Sequence, residues 1–261
     1  YRAAHIRKSG EVTPFPDQAM SLATPEARLP LDAIEALVVD TNGIVWMLDN
    51  GRRSEMIPKL IGWDTGKDRL HRLIHLHAPA VIPGSFCADL TLEPSGTHAY
   101  IADPANGADA AIITVDLETG LCRRLLHGHS SVRPDSAIKI PPDALASRAI
   151  RRLDGATALP HCGIESVAVD RKGDWLYFSA FQSAILYRVA THLLRDPATP
   201  PDDLASAVEA YASKPPTSGL AIDNKSNLYL GDIGSRSIGM VDARDRTYRP
   251  LVSDARLIWP D

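Results

Sequence analysis

One pattern recurs four times along this chain and narrows the folds open to it. It reads apolar-x-apolar, an acid, a polar turn usually holding Gly, then an apolar and aromatic run. The copies are "IEALVVDTNGIVWMLDNG" from Ile34, "CADLTLEPSGTHAYIADPANG" from Cys87, "IESVAVDRKGDWLYFSAF" from Ile164 and "TSGLAIDNKSNLYLGDIGS" from Thr217. Their anchor acids, Asp40, Glu93, Asp170 and Asp223, lie about 53, 77 and 53 residues apart. A second segment follows each copy: "KLIGWDTGKDRLHRLIHL", "AIITVDLETGLCRRLLHG", "AILYRVATHLL" and "SIGMVDARDRTYRPLVSD". Asp64, Asp116 and Asp242 stand at the turns of three of these. An Asp carboxylate closes such a turn by accepting backbone N–H groups two residues on. Each copy therefore predicts four short strands in roughly 45–55 residues, the size of a propeller blade.

The strands are rich in β-branched and aromatic residues, and helical periodicity is scarce. Two stretches carry it, "DALASRAI" after Pro142 and "PDDLASAVEAY" near 201–211. Both read as short excursions from the blades, and residues 128–162 read as one long loop holding the first. Four hairpin pairs could also build a sandwich or barrel, but recurrence in register favours a single propeller domain over residues 1–261. About four full blades are visible, and "YRAAHIRKSGEVTPFPDQAM" would supply the outer part of a preceding one. A closed ring needs more, so both ends are expected to be cut from a longer protein.

The net charge of −4 and the lack of a Lys/Arg run argue against a nucleic-acid partner. No apolar run reaches the roughly 18 residues of a membrane helix. Cys87, Cys122 and Cys162 lack metal-ligand spacing, and one disulfide with a free thiol or three thiols are equally compatible with them. Nothing in the sequence sets an oligomeric state.

The order "GEVTPFPD", "LVVDTNGIVWMLDNG", "YIADPANG", "LLHGHSSVRPD", "GIESVAVDRKGDWLYFSAFQSAILYRV", "SGLAIDNKSNLYLGD" and "RLIWPD" resembles bacterial members of the major royal jelly protein / Yellow family. The resemblance covers nearly the whole chain. It implies an all-β, six-bladed β-propeller, secretion or a periplasmic location, and kinship with the gluconolactonase / senescence-marker-protein propellers, many of them metal-dependent lactonases. Insect members imply a different chemistry, isomerisation of an oxidised catechol such as dopachrome.

In a propeller the first strand of each blade lines the central channel, and its first residues converge on one mouth. Five positions before each anchor acid stand Glu35, Ala88, Glu165 and Ser218; the next positions hold Ala36, Asp89, Ser166 and Gly219. Glu35, Asp89 and Glu165 thus come from three blades and are expected to meet. Such oxygen donors suit a divalent cation, Ca²⁺ foremost, with Zn²⁺ or Mn²⁺ as alternatives if a His joins. A metal would polarise a lactone carbonyl, and Glu165 or Asp89 would act as base toward water. The lactonase kinship implies acid and amide ligands at these positions, and Ala88 and Ser218 depart from that pattern. The competing roles for these acids are strand-end capping and salt bridging with Arg52 or Arg53. His161, Ser218 and Asp232 are the candidate contacts to a small polar ligand, and non-catalytic binding is the alternative to hydrolysis. Asp49, Asp103 and Asp232 end the second strand of three blades, where Ala180 stands in the other, and read chiefly as turn closers. Cys162 is poorly placed to pair with the adjacent His161. The histidines of "HGHSS" and "LHRLIHLH" read as surface residues.

Overall fold

A computed structural model describes residues 3–22, 29–52, 55–140, 142, 150–151, 157–158 and 163–260. Four antiparallel sheets of four strands follow the four sequence copies. The first blade holds β3 (Ile34–Val39), β4 (Ile44–Asp49), β5 (Lys59–Asp64) and β6 (Arg69–His75). The second holds β7 (Asp89–Leu92), β8 (His98–Asp103), β9 (Ala111–Asp116) and β10 (Cys122–Leu125). The third holds β13 (Ile164–Val169), β14 (Trp175–Ala180), β15 (Ile185–Ala190) and β16 (Glu209–Ser213). The fourth holds β17 (Leu220–Ile222), β18 (Leu228–Asp232), β19 (Ser237–Val241) and β20 (Tyr248–Ser253). Each is a meander, and the first strands β3, β7, β13 and β17 pack one against the next. This is the arrangement of an all-β propeller, with first strands innermost.

The repeated signature has a local cause. Asp40 Oδ1 accepts the N–H groups of Asn42 and Ile44 at 2.8 and 3.0 Å, and Asp223 Oδ1 accepts those of Lys225 and Asn227 at 2.8 and 2.9 Å. Asp170 serves Asp174 and Trp175 in the same way. The aromatic residue of the second strand then returns to the acid. Trp46 Nε1 donates to Asp40, Tyr229 Oη to Asp223 and Tyr100 Oη to Glu93. One carboxylate therefore closes the turn and fixes the aromatic side chain above it. Asp64, Asp116 and Asp242 close the turns between third and fourth strands.

The core lies between blades. Trp46, Leu48 and Leu60 of the first blade meet Leu90, Ile101 and Ile113 of the second. Tyr100 and Ile112 meet Val167 and Phe178 of the third, and Tyr177, Leu186 and Tyr211 meet Leu228, Leu230 and Val241 of the fourth. Central strands are buried on both faces, which explains their nearly unbroken apolar runs. Each fully buried large apolar side chain contributes about 1.5–3 kcal/mol.

The N-terminal segment forms a hairpin, β1 (Ala4–Ile6) with β2 (Val12–Pro14), and a helix α1 (Gln18–Leu22). Ala3, Met20 and Leu31 pack on Met47, Ile61 and Trp63, covering the flank of the first blade turned away from the second. Two sequence expectations need correction. "AILYRVATHLL" is one strand, β15, followed by helix α2 (Thr191–Arg195); the blade's fourth strand comes after a further helix, α3 (Pro201–Ser206). "PDDLASAVEAY" is accordingly half helix and half strand, because Glu209–Ser213 pairs with β15. Of "DALASRAI", residues 143–149 lie outside the described residues; a two-stranded hairpin, β11 (Ile150–Arg151) with β12 (Thr157–Ala158), follows.

Candidate functional site

The first strands of the first and third blades each contain one residue too many for their partner. Ile34 faces Asp49 and Ala36 faces Leu48, which leaves Glu35 as a β-bulge. Ile164 faces Ala180 and Ser166 faces Ser179, which leaves Glu165 in the same place. Bulges re-aim a side chain away from the ladder and recur beside functional sites. Asp89 faces Ala102 and Leu220 faces Leu230. Counting back from the residues that end the second strands, Ala88 and Ser218 occupy the positions of Glu35 and Glu165 in the other two blades.

Glu35, Ala88, Asp89, Glu165 and Ser218 all line one cavity of about 730 Å³. Its walls continue as Leu37, Leu220, Ala221, Ile238, Leu257 and Pro260. The three acids are half-buried, and no Lys, Arg or His is among the described residues lining the cavity. The lining thus combines acidic and apolar side chains. The segment carrying Leu257 and Pro260 passes close over β18, where Gly231 makes room: a Cβ there would overlap the Pro260 backbone.

Asp89 has a second role. Its Oδ2 accepts the N–H of Val167 at 3.0 Å and its Oδ1 that of Leu90 at 2.8 Å. It laces the inner strand of the second blade to that of the third, as Thr91 Oγ1 does with Val169 N–H at 3.4 Å. Asp232 does not line the cavity; its carboxylate accepts the N–H and hydroxyl of Ser235. His161, Cys162 and Arg53 lie outside the described residues.

Asp232 closes its turn as expected, but Asp49 and Asp103 do more than that. Asp49 accepts the N–H groups of Asp32 and Ala33 at 2.8 and 2.9 Å, directly before Glu35, and that of Gly51 at 3.1 Å in its own turn. Lys59, itself buried, places Nζ 2.8 Å from Asp49 Oδ2. Burial alone would raise the Asp49 carboxyl, but Lys59 and the Ala33 and Asp32 N–H donors outweigh it and hold it below the usual range. Asp103 repeats the arrangement in the second blade. It accepts the Phe86 N–H at 2.8 Å and the Ser85 hydroxyl at 2.5 Å, just before Asp89, and pairs with Arg124 at 2.6 Å. In the third blade Ala180 has no carboxylate, and Lys214 donates to the carbonyls of Ala180, Ser183 and Pro215 at 3.0, 2.8 and 3.1 Å. These cations escaped the sequence reading, since each comes from a strand or segment remote in sequence from its partner. The recurrence of the acids was the only available signal.

Among the described residues, no three His, Cys, Asp or Glu side chains stand close enough to hold one ion. The positions matching Glu35 and Glu165 in the other two blades carry Ala88 and Ser218, and both carboxylate oxygens of Asp89 already accept backbone N–H groups. Charge, shape and position define a class: a β-propeller with an acidic central cavity assembled from several blades.

The chain belongs to the major royal jelly protein family, whose sequence model matches residues 34–260. A comparison with curated protein sequences found no match. Among solved structures, a gluconolactonase from Xanthomonas campestris superposes with a TM-score of 0.56 at 13% identity, covering 97% of this chain and 69% of that one. A Bacteroides uniformis structure described as a 6-phosphogluconolactonase gives 0.53 at 14% identity, covering 97% and 65%. The virginiamycin B lyase of Staphylococcus aureus gives 0.52 at 13% identity, covering 98% and 64%. At these identities the likeness concerns the fold. The chain spans about two thirds of the length of these propellers.

Proposed function

We propose that this chain is the ligand-binding part of a royal jelly-type propeller whose central cavity takes a small, non-anionic polar molecule. The observation that carries the reading is the pair of bulged glutamates, Glu35 and Glu165, on different blades and lining one cavity. Carboxylates only accept hydrogen bonds, so the fitting ligand is rich in O–H or N–H donors. The apolar wall of Leu37, Leu220 and Ile238 suits its carbon skeleton. Coverage of about two thirds of the matched propellers supports reading the four blades as part of a six-bladed ring.

Hydrolysis of a lactone-like ester, as the names of two structural relatives suggest, is the reading that a metal would require, and the donor set does not favour it. Calorimetry with Ca²⁺, Zn²⁺ and Mn²⁺ should show no site tighter than millimolar. A tight site lost in Glu165→Gln would restore the hydrolase reading. The direct test of binding is a panel of neutral polyols, protonated amines and sugar acids, followed by saturation-transfer NMR. Binders should come from the first two groups, and Glu35→Gln with Glu165→Gln should weaken them about 10- to 100-fold together, the range of charge-assisted hydrogen bonds. Selection of sugar acids instead, or unchanged affinity in the double variant, would remove the cavity from consideration.

A further inference from the structure

We infer that the hydroxyl of Ser218 is a ligand-contact group of this cavity, held ready for an oxygen acceptor on the bound molecule. The inference rests on the cavity reading above and adds a specificity residue to it. Ser218 is only 3% exposed and lines the cavity, yet its Oγ has no hydrogen-bond partner among the described residues. A buried hydroxyl without a partner is destabilising, and an alanine at the same place would avoid that cost. Because Ser218 also lines the cavity, its hydroxyl is better explained by a partner that arrives from outside.

Its backbone is fixed in advance. Lys214, four residues earlier, is tied to two carbonyls of the third blade and to that of Pro215, and Pro215 and Pro216 stiffen the chain after it. Thr217 then donates its N–H to the Phe181 carbonyl at 3.3 Å and its hydroxyl to the Gly219 carbonyl at 3.0 Å. Ser218 thus reaches the position of Glu35 and Glu165 on a segment anchored at both sides. The chemistry also differs from theirs. A carboxylate accepts only, whereas a serine hydroxyl also donates. Tyr229, another hydroxyl on the lining, already donates to Asp223. A ligand that satisfies the site carries donors toward the glutamates and a carbonyl, ether or hydroxyl oxygen toward Ser218.

Ser166 supplies the control. It is fully buried, its Oγ is equally unpartnered and it adjoins Glu165, but it does not line the cavity. The experiment compares the full chain with Ser218→Ala and Ser166→Ala, using sorbitol, glucose and ethanolamine as probes and gluconate as the anionic comparison. Thermal melts and saturation-transfer NMR are the readouts. Both variants should melt higher, by about 2–4 °C, because an unsatisfied buried hydroxyl is removed. Only Ser218→Ala should weaken the probe that binds, about three- to tenfold, the worth of one neutral hydrogen bond. A lower melting point for Ser218→Ala would overturn the inference by revealing a structural partner. Unchanged affinity in Ser218→Ala, with loss in Glu165→Gln, would also overturn it while leaving the cavity reading intact. If no probe binds the wild-type chain, the cavity reading and the role of Ser218 fail together.

Discussion

Glu35 and Glu165 owe their aim to one surplus backbone residue each, and what steadies them is a buried ion pair or tether nearby. Asp49 shows the principle, because one carboxylate holds the two N–H groups before Glu35 and neutralises the buried Lys59. Asp49→Asn leaves that ammonium uncompensated and should cost about 3–5 kcal/mol, read as a lower urea midpoint. Asp49→Asn with Lys59→Met should recover much of the loss, since the desolvated charge goes too. Lys214 invites a test by pH. Burial pulls its ammonium down to about 7, below the roughly 10.4 of an unfolded lysine. The native state therefore holds fewer protons than the unfolded chain between these values. The contribution of Lys214 to stability should rise from pH 7 toward pH 10, and Lys214→Met should remove that rise in urea melts. At this scale the sequence was half legible. The positions of Glu35, Glu165 and Asp89 follow from alignment on the anchor acids, because the inner strand has a fixed register. Lys59, Arg124 and Lys214 do not, because their partners are chosen by packing across strands. The second role of Asp89 was hidden for the same reason, its acceptor site being filled from the neighbouring blade.

At the scale of the element, the blade is a unit whose turns and aromatic residues are specified together, and this made the fold readable. The anchor acid, the turn and the returning aromatic are local in sequence, so the pattern survives without knowledge of the neighbours. The third blade was misread where locality fails. Helix α2 is held partly by Thr191 Oγ1 bonding the Gly173 carbonyl, and by Arg123 of the second blade donating to the carbonyls of Leu194, Arg195 and Asp196. Nothing in "THLLR" announces a cap from another blade. Glycine marks another cross-strand contact. Gly239 lies under the Tyr248 ring, and a Cβ there would overlap it. Gly239→Ala should displace Tyr248 and destabilise the fourth blade by about 1–3 kcal/mol, visible as a lower urea midpoint. Gly62, whose Cβ would stand 3.1 Å from the Trp46 ring, should tolerate alanine better, because that contact needs only a small shift.

At the scale of the whole molecule, stability is shared among interfaces between blades and among many carboxylates that serve backbone turns. Asp64 and Asp116 are held below the usual range, each through backbone N–H donors that outweigh desolvation, and Asp242 chiefly by Arg244. For groups lowered on folding, the stabilisation is present above the unfolded value near 3.9 and is lost as pH falls through the folded values. The molecule should therefore unfold progressively below about pH 4, followed by far-ultraviolet circular dichroism, and added salt should not restore it. The described residues include no helix long and apolar enough to cross a membrane.

The bulge has one more consequence. A residue in a regular strand holds a fixed place in the ladder register, whereas a bulged residue such as Glu35 or Glu165 stands outside it. Its identity can change without shifting the strand register. Glu35 and Glu165 hold this place in two blades, Ala88 and Ser218 stand at the matching positions of the other two, and the four differ in charge, size and polarity while the sheets behind them keep one plan. Each of the four described blades thus presents one exchangeable residue to the channel, and the lining can be altered one blade at a time. Swapping these four residues alone between relatives should transfer ligand preference while leaving the melting temperature within a few degrees.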